Sequence, residues 1–142
     1  MRLGIVSSRF NEGLSSKLLE RARAEAKRLG LDEPRVTQVP GALEIPIALQ
    51  WMAQAGGLDA LVALGIVIRG ETYHFEIVSN ESARGLMDVS LEFGIPVANG
   101  ILTTESEEQA LARLEKGAEA VRVAVEMAKL RASLLSDGGR IR

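Results

Sequence analysis

Cysteine is absent from this chain of 142 residues. That excludes disulfides, thiol nucleophiles and zinc–thiolate centres, and it fits a reducing cytoplasm. No apolar run is long enough to span a membrane, and Met1-Arg2-Leu3-Gly4-Ile5-Val6 lacks the layout of a signal peptide. Charge of one sign is scarce as well. Seventeen Lys and Arg against nineteen Asp and Glu leave a formal net charge of -2, with no basic block for a nucleic acid. The glycine patterns of dinucleotide and nucleoside-triphosphate loops are both missing. Histidine occurs once, as His74, and phenylalanine only three times.

What is present is ordinary for a folded domain: 46% hydrophobic and 25% charged residues, enough for one core. Short apolar runs alternate with longer amphipathic ones. Leu3 to Ser7 predicts a first strand, and Leu14, Leu18, Leu19, Ala22, Ala26 and Leu29 recur at helical spacing before Gly30. Val36 to Val39 predicts a second strand, and a helix from Glu44 or Pro46 to Ala55 follows, closed by Gly56-Gly57. The third strand, Ala60 to Ile68, looks the most buried; the helix after it runs from Phe75 to Phe93. A fourth strand lies within Ile95 to Leu102, with Pro96 near its start. Ser106 and Gln109 have capping-box spacing for the next helix, and a last helix covers Gly117 to Leu135.

Alternation of this kind implies parallel strands joined by right-handed crossovers, with helices on both faces. The expected architecture is one flavodoxin-like three-layer αβα domain over residues 1–142 with a four-stranded parallel sheet, its tail, 136–142, frayed. The last helix carries two apolar stripes: Val121, Ala124, Val125, Ala128, Ala132 and Leu135 on one side, Val123, Met127, Leu130 and Leu134 on the other. One stripe docks on the sheet; the second packs either on a neighbouring subunit or on the preceding helix of the same chain.

Ligands of open parallel sheets bind beyond the carboxyl ends of the strands, and each strand here runs into a usable loop. After the first come Arg9-Phe10-Asn11, where Phe10 suits either a stacking heteroaromatic ligand or a hydrophobic loop anchor. After the second come Pro40-Gly41-Ala42-Leu43-Glu44, small residues leading to a helix amino end. Glu44 fits helix-dipole complementation and recognition of ligand hydroxyls equally well. After the third come Arg69-Gly70-Glu71-Thr72-Tyr73-His74, whose amides and hydroxyl form a candidate phosphate nest beside an imidazole able to carry protons near neutrality. After the fourth come Asn99-Gly100-Ile101-Leu102-Thr103-Thr104, an acidic cluster better explained by dipole complementation than by a metal, and Arg113 with Lys116 at i, i+3 spacing.

Four motifs in order along nearly the whole chain resemble the lumazine synthase family: Arg9-Phe10-Asn11, Val39 to Pro46, Leu64 to Glu76 with its Arg69-Gly70-Glu71-Thr72-Tyr73-His74 core, and Gly100 to Thr104 with Glu108-Gln109-Ala110, Arg113, Lys116-Gly117 and Glu119-Ala120. The resemblance implies condensation of 5-amino-6-(D-ribitylamino)uracil with 3,4-dihydroxy-2-butanone 4-phosphate to 6,7-dimethyl-8-ribityllumazine, with no metal and no cofactor. It implies that Phe10 stacks on the pyrimidine, that Gly41, Ala42 and Glu44 hold the ribityl chain, and that Val67 and Ile68 contact the pyrimidine through their backbone. Glu71 and Thr72 would bind the phosphate, Arg113 would reach it from a neighbouring subunit, and His74 would move the protons. Asn99 and Lys116 complete the substrate contacts so implied.

Two departures from the family pattern stand out. Asn99 occupies a position that is often aromatic, and the segment from Arg113 to Lys116 is shorter than in many relatives. The implied assembly is a homopentamer, with a shell of pentamers as the alternative, in the cytoplasm, without nucleic-acid or membrane partners. An archaeal-type riboflavin synthase and a non-catalytic flavin- or lumazine-binding protein on the same scaffold are the competing functions. The phosphate-type loop with Arg113 argues against the first, and a binding protein would need neither His74 nor Arg113.

Overall fold

In a computed structural model the structure is described for residues 1–138. Strands β1 (Leu3–Ser8), β2 (Arg35–Val39), β3 (Ala60–Ile68) and β4 (Val97–Thr104) form one parallel sheet in the order β2-β1-β3-β4. That order, with helices on both faces, is the flavodoxin-like three-layer αβα sandwich expected from the sequence. β3 is central because it can be: Ala60 to Val67 are all buried, and an apolar run without polar alternation tolerates cover on both sides.

The helices are α1 (Glu12–Arg28), α2 (Ile45–Ala55), α3 (His74–Phe93), the short α4 (Glu107–Ala112) and α5 (Lys116–Gly138). α1 and α5 cover one face, where Leu3, Ile5, Val62 and Leu64 of the sheet meet Leu18, Ala22, Val121 and Ala124. α2 and α3 cover the other, where Val6, Leu61 and Ala63 meet Ile45, Leu49, Val78 and Leu86. α1 and α5 cross closely: a Cβ on Gly117 would lie 2.4 Å from the Leu18 carbonyl oxygen, so glycine is required there. No helix among the described residues is long and apolar enough to cross a membrane.

Several boundaries differ from the sequence expectation. Ala42–Glu44 form a 3-10 turn ahead of α2, and α3 begins at His74 itself, so the imidazole stands on the first helical residue. α5 runs on to Gly138, through the start of the expected tail, whose remainder, 139–142, lies outside the described residues. Arg113 ends α4 and Lys116 opens α5, so the pair flanks a helix–helix turn instead of sharing a helical face. Val123, Met127, Leu130 and Leu134 are all exposed, which removes packing on the preceding helix as the fate of the second stripe; Ala132 and Leu135 of the first stripe are exposed too.

Candidate active site

A cleft of about 270 Å³ opens at the carboxyl end of the sheet, on the α2/α3 face. Its first wall comes from the β1 and β2 loops. The Arg9 amide donates to the Val39 carbonyl at 2.8 Å and the Phe10 amide to the Pro40 carbonyl at 3.1 Å, which laces the two loops together. Asn11 turns the chain in the left-handed region (φ 59°), and the buried Ser15 hydroxyl donates to the Phe10 carbonyl at 2.6 Å. The backbone is thus pinned while the Phe10 ring, 64% exposed, faces the opening. A ring so exposed has little of its surface in contact with its own loop.

The 3-10 turn supplies Gly41 and Ala42 to the same wall. The Gly41 amide donates to Glu44 Oε1 at 2.9 Å, so one carboxylate oxygen closes the turn. The floor is Ile66, Val67 and Ile68 at the end of β3. Phe75 and Val78 on the first turns of α3 form the opposite wall, which sequence reasoning missed. At i and i+3 beside His74 they have the spacing of any core-facing helix pair, and only the tertiary arrangement turns them toward a cavity.

Gly70, Thr72 and His74 rim the mouth. The Thr72 hydroxyl accepts from the His74 amide at 3.4 Å, ordering the entry into α3. Among the described residues no protein acceptor takes the amides of Gly70, Glu71 or Thr72. Free amides at the amino end of a twenty-residue helix suit an anion, since both the donors and the helix dipole favour negative charge.

One cation organises this rim. Arg69 Nε donates to Glu105 Oε2 at 2.6 Å, Arg69 Nη1 donates to Glu76 Oε1, and the guanidinium carbon lies 4.4 Å from the centre of the Phe75 ring. The hydrogen bond from Arg69 holds the Glu76 carboxyl below its ordinary pKa, and the bond to Glu105, ahead of that to Glu76, raises the pKa of Arg69.

Of the residues singled out from sequence, Phe10, Gly41, Ala42, Glu44, Val67, Ile68, Thr72 and His74 come together in this cleft. Glu71, Asn99, Arg113 and Lys116 are not among its lining residues. Asn99 is exposed on β4, an edge strand, and its Oδ1 accepts from the Ile101 amide at 2.9 Å. Arg113 is exposed, with Nη1 donating to the Gln109 carbonyl at 3.1 Å. Among the described residues no group of three or more His, Asp and Glu side chains is placed to hold a metal ion.

Residues 1–132 match the family model described as 6,7-dimethyl-8-ribityllumazine synthase. Similar proteins bear the same description. One from Nitrosomonas europaea is 61% identical over 131 residues, covering 90% of this chain and 80% of the relative. One from Paraburkholderia phytofirmans is 56% identical over 142 residues, covering 98% of this chain and 84% of the relative. A third, from Cupriavidus necator, is 56% identical over 143 residues, covering 99% and 86%.

Proposed function

This chain belongs to the 6,7-dimethyl-8-ribityllumazine synthase family, and we propose that its cleft condenses 5-amino-6-(D-ribitylamino)uracil with 3,4-dihydroxy-2-butanone 4-phosphate. The products are 6,7-dimethyl-8-ribityllumazine, phosphate and water, and the chain is a transferase of riboflavin biosynthesis. Its lack of cysteine suits a reducing cytoplasm. The observation that carries the proposal is the convergence, in one cleft, of an exposed Phe10 ring, a small-residue backbone at Gly41-Ala42, unpaired amides at Gly70 and Thr72, and the one histidine.

The chemistry follows from those parts. The pyrimidine lies on Phe10, its edge against the Val67 and Ile68 backbone, and its ribityl hydroxyls meet Gly41, Ala42 and Glu44. The 5-amino group attacks the ketone carbonyl; His74 takes the proton released at nitrogen and returns it to the hydroxyl that leaves as water, giving the imine. His74 then takes the proton from C3 as phosphate leaves C4 with the C–O bonding pair, and the enol so formed gains a proton at C4 and loses its hydroxyl proton to become a ketone at C3. The Gly70, Glu71 and Thr72 amides stabilise the departing dianion. Attack of the ribitylamino nitrogen on the remaining carbonyl, with loss of a second water, closes the ring.

The phosphate end needs a cation as well, and Arg113 supplies it from another copy of the chain; Asn99 and Lys116 belong with the pyrimidine and ribityl contacts. A cleft of about 270 Å³ falls below the usual range for ligand pockets, roughly 300–1,000 Å³, which fits a half-site. Self-association is further supported by the exposed apolar side chains of α2 and α3, Ile47, Trp51, Ile77, Met87 and Leu91, and by the α5 stripe. We assign a homopentamer, and a mass measurement in solution separates it from a shell of pentamers.

Mixing the purified protein with both substrates tests the function. The expected result is lumazine absorbance growing above the uncatalysed background with one phosphate released per lumazine. Equal rates with and without protein overturn it.

A further inference from the structure

Arg69 occupies a place that the proposed chemistry leaves without a task. It is the first residue beyond β3, and its amide donates to the Thr104 carbonyl at 2.9 Å, which extends the β3–β4 pairing by one step. Its side chain spans three elements. Glu105 lies just past β4, Glu76 in the first turn of α3, and Phe75 between Glu76 and His74. An exposed ion pair contributes little by itself. This guanidinium, however, has two carboxylates and an aromatic face at once, and the ring it covers also walls the cleft.

The charges around the rim pose a physical problem. Glu71, Glu76 and Glu105 all lie close in sequence or space to the free amides of Gly70 to Thr72. Each negative charge opposes the binding of a dianion there, across a distance on the order of a Debye length or less. Arg69 is the side chain that pairs with two of the three.

We infer that Arg69 is a positioning residue for the phosphate-bearing substrate: it neutralises Glu76 and Glu105 at the rim, and through Phe75 it fixes the first turn of α3 on which His74 stands. It touches no substrate. The inference rests on the function proposed above for its substrate, though its electrostatic part needs only an anion at the Gly70–Thr72 amides.

Three variants separate this role from a merely structural one. Arg69→Gln should raise KM for the butanone phosphate roughly tenfold, as two uncompensated like charges at short range would, and leave pyrimidine affinity within about twofold. Arg69→Lys, which keeps the charge but not the flat two-partner fork, should fall between wild type and Arg69→Gln. Joining Arg69→Gln with Glu76→Gln and Glu105→Gln should bring KM back to near the wild-type value, because the charges that Arg69 answered are gone. An unchanged KM in Arg69→Gln, or no recovery in the triple variant, overturns the inference.

If Arg69→Gln fails to fold, Glu76→Gln with Glu105→Gln on the natural Arg69 gives the same decision. A lowered KM supports the role, and an unchanged or raised one overturns it. Calorimetric titration with inorganic phosphate keeps the two proposals apart. A wild type that makes no lumazine, yet binds phosphate more tightly than Arg69→Gln does, sinks the proposed function and leaves Arg69 its role. A wild type that makes lumazine with KM indifferent to Arg69 does the reverse.

Discussion

The Phe10 amide donates to the Pro40 carbonyl at 3.1 Å, joining the loop after β1 to the loop after β2. One wall of the cleft is therefore set by backbone, and the Phe10 side chain is left free to meet a ligand. Position and contact are carried by different atoms of the same residue, so a mutation can remove one without the other.

Phe10→Ala separates them. Stability should stay within about 0.5 kcal/mol, as for other exposed positions. The dissociation constant of the ribitylaminouracil should rise roughly tenfold, the lower range for losing an aromatic stacking partner. Equilibrium titration with each substrate separately checks this; an unchanged pyrimidine constant would leave the ring without a role.

His74→Ala should slow turnover roughly 10²-fold, the lower end of general acid–base help, while both substrates still bind. The side chain is exposed at the first residue of α3, so its loss leaves the core intact. Steady-state rates set beside binding constants distinguish lost chemistry from lost affinity.

Far from the cleft, Glu25 couples α1 to α5. Its side chain is 7% exposed and accepts from Arg28 at 2.6 and 2.8 Å and from Arg122 at 3.1 Å. The Arg28 hydrogen bonds lead in lowering its pKa from 4.5 to about 2; burial opposes the shift and Arg122 adds to it. The folded value lies below the unfolded one, so this stabilisation is complete above pH 4.5 and is lost as pH falls toward 2. Glu25→Gln should cost about 1.5–3 kcal/mol at neutral pH, the range for hydrogen bonds to a charged group, and flatten the acid limb. Urea unfolding across that pH range reads both effects.

Gly117→Ala should destabilise by about 1–3 kcal/mol through overpacking against α1, because the new methyl would meet the Leu18 carbonyl oxygen at 2.4 Å. Gly13→Ala, with nothing within 4 Å of the added carbon, is the control and should be neutral or stabilising. Thermal melts of the two variants give the comparison.

The fold was legible in the sequence where burial is uniform. β3 came out with its observed limits, Ala60–Ile68, because a strand covered on both faces has no polar alternation to blur its ends. The 3-10 turn at Ala42–Glu44 was not legible, since it depends on the Gly41 amide finding the Glu44 carboxylate. Phe75 and Val78 look like core positions on a helical wheel, and a cleft becomes visible only when β3 and the β2 loop face them. The pairing of Arg69 with Glu105, 36 residues apart, is set by the β3–β4 register and has no local signal. Asn99, Arg113 and Lys116 lie outside the cleft of their own chain, so neither sequence spacing nor one copy of the fold brings them to it.

The most direct test of a site shared between copies is complementation. His74→Ala and Arg113→Ala chains, each nearly inactive alone, are co-refolded at equal ratio, and mass spectrometry verifies that the assemblies contain both. Lumazine formation should return to roughly one quarter of the wild-type rate, the share of interfaces in a closed ring that random mixing leaves with both side chains. Verified mixed assemblies as inactive as their parents would contradict a cleft completed by its neighbour.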